Sequence, residues 1–316
     1  MIKQKKAIWL TGSSGFIGKH LNRKLISSGY NLSCISNNQN LKDERQNSDT
    51  YFLNFSSEKD IKDLIGQIGL PDVFIHLGWG GMKDSTSSVH LTNNLHDAKI
   101  LIETLYLSGL EKFIFHGSVN EYGSRTGILS EDMMPLGRLT NYAKAKIKVS
   151  NYGFERSRFY KKIFIHIRLF YVFGSGQSED SLINELFTAF SQNRDTRLSS
   201  CMHFRDFIHV SDVVEGIMRL ISVNESHTVN LGSGSFISVR EYVNIFWNEI
   251  GGDSDRLKFG SHNISKSEPD QYKSYADLTT IKKLTGWSPT CQLEKCIRNT
   301  VAEINDSDKK TLCLKI

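Results

Sequence analysis

A short apolar run, Ala7-Ile8-Trp9-Leu10-Thr11, passes directly into Gly12-Ser13-Ser14-Gly15-Phe16-Ile17-Gly18 and then into an amphipathic stretch. Few folds accommodate that unit. Glycines three residues apart let a chain turn tightly at the end of a strand and begin a helix at once. The backbone N–H groups of the helix N-terminus then point at whatever fills the turn, a pyrophosphate above all. The spacing G-x-x-G-x-x-G is a weak signal when it stands alone. Here a strand precedes it and a helix follows it, which is the context a dinucleotide site requires.

The first half of the chain keeps the same rhythm. Apolar runs at 6–11, 31–36, 50–53, 72–77, 112–116 and 163–169 alternate with amphipathic stretches at 15–28, 58–67, 91–108 and 139–159. Strands and helices in alternation imply right-handed crossovers between parallel strands, hence a sheet with helices on both faces. After Arg168 the alternation weakens. A segment at 228–232 reads as a strand returning to the sheet, and helices at 238–249 and 279–284 stand among loops rich in Ser, Asp and Lys. The sequence predicts an α/β protein: a Rossmann-type doubly wound parallel sheet over residues 1–173, with a smaller C-terminal substrate domain over 174–316 interleaved with it through the returning strand.

Composition narrows the class. The 316 residues, 39% of them hydrophobic, suffice for a sizeable core, and the net charge of +5 is spread along the chain. The one basic run, Lys3, Lys5 and Lys6, is too short to argue for nucleic acid or a membrane surface. No stretch approaches the roughly 18 apolar residues of a spanning helix, and the first apolar run meets a glycine turn too soon to be a signal-peptide core. Five cysteines (Cys34, Cys201, Cys291, Cys296, Cys313) without a C-x-x-C pair suit reduced thiols in the cytoplasm better than a disulfide framework. The ten histidines are scattered without metal-ligand spacing, so no metal site is expected.

Two further segments carry chemistry. Tyr142 and Lys146 lie one helical turn apart on one face. Ser118 follows Phe113-Ile114-Phe115 at the C-terminal end of a strand, the edge where parallel sheets bind ligands. An ammonium favours phenolate and should lower the tyrosine pKa, while a serine hydroxyl holds a reacting oxygen beside the phenol. Together they make a proton-transfer site for hydroxyl/carbonyl interconversion. The second strand ends Ile35-Ser36-Asn37-Asn38, without the carboxylate that usually meets the ribose 2′-hydroxyl of NAD, and Lys42 or Arg45 lies near enough in sequence to meet a phosphate. That favours NADP, with NAD as the alternative held by Ser36 and Asn37.

These motifs resemble the extended short-chain dehydrogenase/reductases, specifically the NAD-dependent epimerase/dehydratase group, whose members act mainly on nucleotide-activated sugars. The similarity runs from about residue 7 to about 296. It continues in order through Ile75-His76-Leu77-Gly78, Asn94, Arg205-Asp206-Phe207-Ile208-His209-Val210-Ser211-Asp212, Asn230-Leu231-Gly232-Ser233-Gly234, Ala276-Asp277 and Gly286-Trp287-Ser288-Pro289. The resemblance implies catalytic roles for Ser118, Tyr142 and Lys146. It implies a dinucleotide site built from Gly12, Ser14, Gly15, Phe16, Ile17, Gly18, Ser36, Asn37, Asn54, Leu77, Gly78, Asn94, Tyr142 and Lys146. Substrate contacts are implied for Trp79, Ser118, Asn120, Tyr171, Arg205 and Asp270. It also implies a homodimer in which the helices at 91–108 and 139–159 pair across a two-fold axis, with Leu101, Leu105, Ile147 and Phe154 as candidate contacts.

The departures from the group's pattern point to the reaction. Dehydratases of this group resemble one another in an Asp-Glu pair after the catalytic Ser or Thr; here Val119 and Asn120 stand there, and neither serves as the acid or base of water elimination. Tyr171 replaces a common Asn, Ser175 a common Pro, and Ser267-Glu268-Pro269-Asp270 an Arg-Pro-Gly-Asp segment, while Arg205 remains a candidate for a diphosphate. The segment Gly117-Ser118-Val119-Asn120-Glu121-Tyr122-Gly123 looks closer to 4-keto-6-deoxy-sugar reductases, and the missing carboxylate after the second strand points the same way, so the resemblance implies NADPH-dependent reduction of the 4-keto group of a nucleotide-linked (6-)deoxy sugar. A nucleotide-sugar 4-epimerase on retained NAD is the alternative, and a non-catalytic NAD(P)-binding module the third reading.

Overall fold

The computed structural model describes residues 6–38, 49–261 and 273–313. A seven-stranded sheet forms its centre, built from β1 (Ala7–Thr11), β2 (Asn31–Ser36), β3 (Asp49–Phe52), β4 (Val73–His76), β5 (Lys112–Ser118) and the strands Ile163–Leu169 and His227–Leu231. Every pairing in it is parallel, in the spatial order His227–Leu231, Ile163–Leu169, β5, β4, β1, β2, β3. The order reverses at β1, which pairs with both β2 and β4, so a crevice opens beyond the C-terminal ends of these strands.

Alternate residues of each strand feed the two faces. Ile8, Leu10, Ile75, Ile114, Ile165 and Ile167 face the helices α1 (Phe16–Ser27) and α6 (Val210–Leu220), while Trp9, Phe74, Phe113, Phe115 and Phe164 face α2 (Glu58–Ile68), α3 (Asn93–Leu107) and α4 (Asn141–Tyr160). With both faces covered, β4 and β5 are buried along their whole length, their apolar centres Val73-Phe74-Ile75 and Phe113-Ile114-Phe115 flanked by the buried polar residues His76, Lys112, His116 and Ser118. The position of α4 is fixed at both ends and in the middle. Thr140 caps its first turn by accepting from Ala143 N–H, Gly153 lets it approach the Phe164 ring where a Cβ would stand 2.2 Å away, and Glu103 of α3 accepts from Tyr152, Arg156 and Tyr160.

The strands and helices expected in the first half form within a residue or two of their predicted bounds. Three helices beyond Arg168 were not expected: α5 (Leu182–Ser191), α6 and α9 (Leu293–Cys313). The signal for α6 was present, since Val210, Val213, Val214, Ile217 and Leu220 repeat at helical spacing and are buried. Together α5, α7 (Val239–Glu249) and α9 enclose a second apolar core around Leu186, Tyr242, Phe246, Trp247 and Ile297.

Two expectations are corrected here. Leu101 and Leu105 are fully buried in the core of their own chain, so they are not available to a second copy; Phe154 packs edge-on against Phe164, with ring centroids 5.2 Å apart. The thiols are not all apart from one another either. Cys291 and Cys296 are brought together, with Cα atoms 6.0 Å apart, because the loop before α9 folds back onto the helix's first turn. Among the described residues no helix is long and apolar enough to cross a membrane.

Candidate active site

The crevice at β1 holds a groove of about 500 Å3 lined by Gly12, Ser13, Ser14, Gly15, Phe16, Ile17 and Gly18 on one side and Leu77, Gly78, Trp79 and Asn94 on another, with Ser36 and Asn37 at its far end. Gly12 adopts φ +71°, and a Cβ there would stand 2.7 Å from the backbone of Leu77 and Gly78. No side chain caps α1, so the N–H groups of its first turn face the groove. An uncapped helix start beneath a glycine turn fits a pyrophosphate. Thr11 Oγ1 fixes the groove floor, accepting from Gly78 N–H at 3.0 Å and bonding His76 Nδ1 at 2.7 Å. Asn54 lies outside the groove wall: its Oδ1 accepts from Ser56 N–H, and Phe55 and Asp97 line the groove instead. Lys42, Arg45 and Asp270 fall outside the described residues.

A second cavity, of about 410 Å3, opens beside the groove and shares Ile17, Met82, His116 and Leu169 with it. Ser118, Asn120, Tyr142 and Tyr171 line it, and among the described residues no carboxylate does. Trp79 does not: it forms part of the groove, donating from Nε1 to His90 Nδ1 at 3.0 Å. Arg205 is also absent from the cavity wall. Its guanidinium lies 4.7 Å from the centroid of the Tyr171 ring, on a buried side chain behind it.

Ser118 and Tyr142 come together as side chains lining the second cavity, the serine hydroxyl beside the phenol. The predicted lowering of the tyrosine pKa is not found. Burial raises it, the Glu121 charge raises it further, and only the Ser118 hydroxyl opposes them, so Tyr142 is a protonated phenol at neutral pH. Lys146 is sealed from both cavities. Its Nζ donates to His116 O and to His116 Nε2, each at 3.0 Å, and sits 3.6 Å from the centroid of the Trp79 ring. Burial presses the ammonium well below the usual lysine range, against the pull of Glu121. The two acceptors and the aromatic face favour the charged form.

His116 and Glu121 were missed in the sequence. Because His116 Nε2 accepts from Lys146, its ring is neutral with the proton on Nδ1; burial and the Lys146 charge both hold its pKa down. Glu121 had a signal, the S-x-x-E spacing of a capping box. Ser118 caps the short turn Val119–Tyr122, and Glu121 Oε1 accepts from Ser118 N–H at 2.8 Å. Burial pushes the Glu121 carboxyl up, but His166 and Arg168 outweigh it and the group stays ionised. The carboxylate thus fixes the backbone of Ser118 from behind.

The Arg205–Asp212 segment is structural at both of its carboxylates. Asp206 accepts from the backbone of Ser233, Gly234 and Ala276, and Asp212 from Thr290 and Cys291.

Two measurable consequences follow. Replacing His116 with Ala removes one acceptor from Lys146 and widens the junction of the two cavities. A fall in kcat of about tenfold is expected, with the alkaline limb of the pH–rate profile displaced; an unchanged profile would show that the histidine only fills space. The second concerns acid stability. His76 is held down to about 3 by burial and by the Lys146 charge, and His116 well below its ordinary value. The unfolded chain takes up these protons near 6.5 and the folded chain does not. Their contribution is therefore complete above pH 6.5 and is lost as pH falls toward 3, about 2 kcal/mol from His76 alone at pH 5. Thermal melts should show Tm falling steadily below pH 6.5, and His76→Asn should flatten that slope.

Fold and site together define a dinucleotide-binding enzyme of the oxidoreductase type. The chain belongs to the NAD dependent epimerase/dehydratase family, whose model matches residues 8–232. It is 25% identical to a putative UDP-glucose 4-epimerase of Methanocaldococcus jannaschii over 96% of this chain and 99% of the relative. Among solved structures it resembles UDP-glucose 4-epimerase of Thermotoga maritima, with bound UDP-glucose, at TM-score 0.83 and 23% identity over 95% of this chain and 99% of that one. UDP-glucuronic acid 4-epimerase of Bacillus cereus, holding UDP-glucuronic acid and NAD, superposes with TM-score 0.81 at 23% identity, over 95% and 99% of the two chains.

Proposed function

We propose that this protein is a nucleotide-sugar 4-epimerase that works on retained NAD, with UDP-hexoses as its substrate class. One observation carries the reading: the cavity beside the groove presents a proton-transfer pair, Ser118 and Tyr142, and among the described residues no carboxylate lines it. Such a pair moves one proton to and from a sugar oxygen, and the described lining adds no second acid or base for eliminating water. The activities of the relatives favour epimerisation over the reduction expected from sequence. When bound, the dinucleotide supplies hydride transfer. The chain's own residues do the rest. Ser118 orients the sugar oxygen, Tyr142 donates a proton to that oxygen as the phenol and takes it back as the phenolate so formed, Lys146 and His116 supply a fixed charge behind the site, and α1 holds the pyrophosphate. Asn120 and Tyr171 contact the sugar nucleotide.

A second reading, 4-keto-sugar reduction with NADPH, is favoured by the uncharged end of β2, where Ser36 and Asn37 line the groove without a carboxylate from that strand. Cofactor stoichiometry separates the two. Interconversion of UDP-glucose and UDP-galactose with catalytic NAD supports the first; stoichiometric loss of NADPH absorbance with a 4-keto sugar nucleotide, and no interconversion, overturns it. We also infer that two copies pair through α3 and α4 near their exposed Leu107 and Phe159. Light scattering should report a dimer at micromolar concentration, and a monomer would refute the pairing.

A further inference from the structure

The pairing of Cys291 with Cys296 lies apart from the candidate active site and has a chemistry of its own. The two sulfurs and a ring nitrogen of His209 all lie within 4.8 Å of one another. They border a cavity of about 340 Å3, which Cys291, half-buried, shares with Glu294, whereas Cys296 is 1% exposed. Each cysteine is held by a different anchor. Asp212 accepts from the backbone N–H of Thr290 and Cys291, and Cys296 stands in the first turn of α9, where Thr300 Oγ1 donates to its carbonyl. The Cα separation of 6.0 Å falls inside the usual disulfide range of roughly 4.4–6.8 Å, so the two sulfurs can be joined without backbone movement. Cys34 and Cys201 are buried and outside any disulfide.

We propose that Cys291 and Cys296 are a redox-active dithiol, closed by a peroxide and reopened by a dithiol reductant. Cys291 faces the cavity and is the attacking group, and its proton passes to water there. The Cys291 thiolate breaks the O–O bond of hydrogen peroxide, giving a sulfenic acid and, with the proton that Cys291 released, one water. Cys296 then attacks the sulfenic sulfur, the S–S bond forms, and hydroxide leaves with the Cys296 proton as a second water. Two thiols lose two electrons in total and one peroxide gains them. A dithiol reductant reverses the step by exchange and leaves as its own disulfide. Phe173 and Phe207 line both this cavity and the candidate substrate cavity, which places the switchable bond one aromatic layer from that pocket.

Lys295 lies between the two cysteines, so trypsin without reductant reads the bond directly. The full chain, reduced and desalted, is titrated with hydrogen peroxide, alkylated and digested. The expected result is a linked pair of peptides, one ending at Lys295 and one beginning at Cys296, that approaches one per chain. It should disappear with dithiothreitol, be absent in Cys291→Ser and persist in Cys34→Ser. Full alkylation of both cysteines after peroxide, sulfinic acid without the link, or one equivalent of zinc that shields the thiols until chelated would each overturn the proposal. Should Cys291→Ser fail to fold, the wild-type peptide map decides alone.

Discussion

Tyr142→Phe should lower kcat by on the order of 10² or more and leave dinucleotide affinity nearly unchanged. The phenol faces the cavity beside Ser118, not the groove, so removing its oxygen deletes the proton donor without touching the walls that hold the cofactor. Its ring is buried and packs edge-on against Trp79 and His90, with centroids 6.3 and 5.4 Å away, and phenylalanine keeps both contacts. The fold should therefore survive, which a thermal melt within a few degrees of wild type would confirm. Because the phenol is protonated at neutral pH and must lose that proton before it can accept one from the sugar, wild-type epimerisation should rise toward alkaline pH, and the variant should lack that rise. Turnover above about half of wild type would remove Tyr142 from the reaction and with it the proposed mechanism.

What the sequence disclosed is what neighbouring residues decide. The strand, glycine turn and helix at 7–27 are adjacent in the chain, so spacing alone announced them. Tyr142 and Lys146 share a face because they are four apart on one helix. The partner of Lys146 was invisible for the opposite reason: His116 lies on β5, 30 residues away, and meets the lysine only because α4 packs across that strand. The same holds for Trp79. Its place over the ammonium depends on the turn after β4 and on the bond to His90, not on its neighbours in sequence. Asp206 and Asp212 were quoted only as part of a family motif with Arg205, and their role was not legible because their carboxylates serve backbone groups 27 to 79 positions distant. Local spacing thus located the chemistry, while the groups that hold it in place came from tertiary contacts between elements far apart in the chain.

Gly18→Ala is expected to have the broadest effect, because it strikes the fold and the cofactor groove at one atom. A Cβ on Gly18 would stand 1.9 Å from Gly12 O, 2.7 Å from Gly12 C and 2.9 Å from Ser13 Cα, all of them backbone. No rotamer relieves such a clash, so the start of α1 must back away from the turn. Leu21 and Leu25 of the same helix are fully buried against the sheet and resist that movement. Overpacking of this kind costs about 1–3 kcal/mol of stability. Displacing the first-turn N–H groups also misaligns charge-assisted hydrogen bonds to a pyrophosphate, each worth about 1.5–3 kcal/mol, so the dinucleotide Kd should rise by on the order of 10². Gly66, exposed in α2 with nothing within 4 Å of its would-be Cβ, provides the control. Its change to Ala should raise stability by about 0.5–1 kcal/mol through helix propensity and leave binding alone. Calorimetric titration of both variants with NAD and NADP, alongside thermal melts, separates loss of the groove from loss of the fold. Wild-type affinity in a folded Gly18→Ala protein would show that the dinucleotide does not rest on this turn.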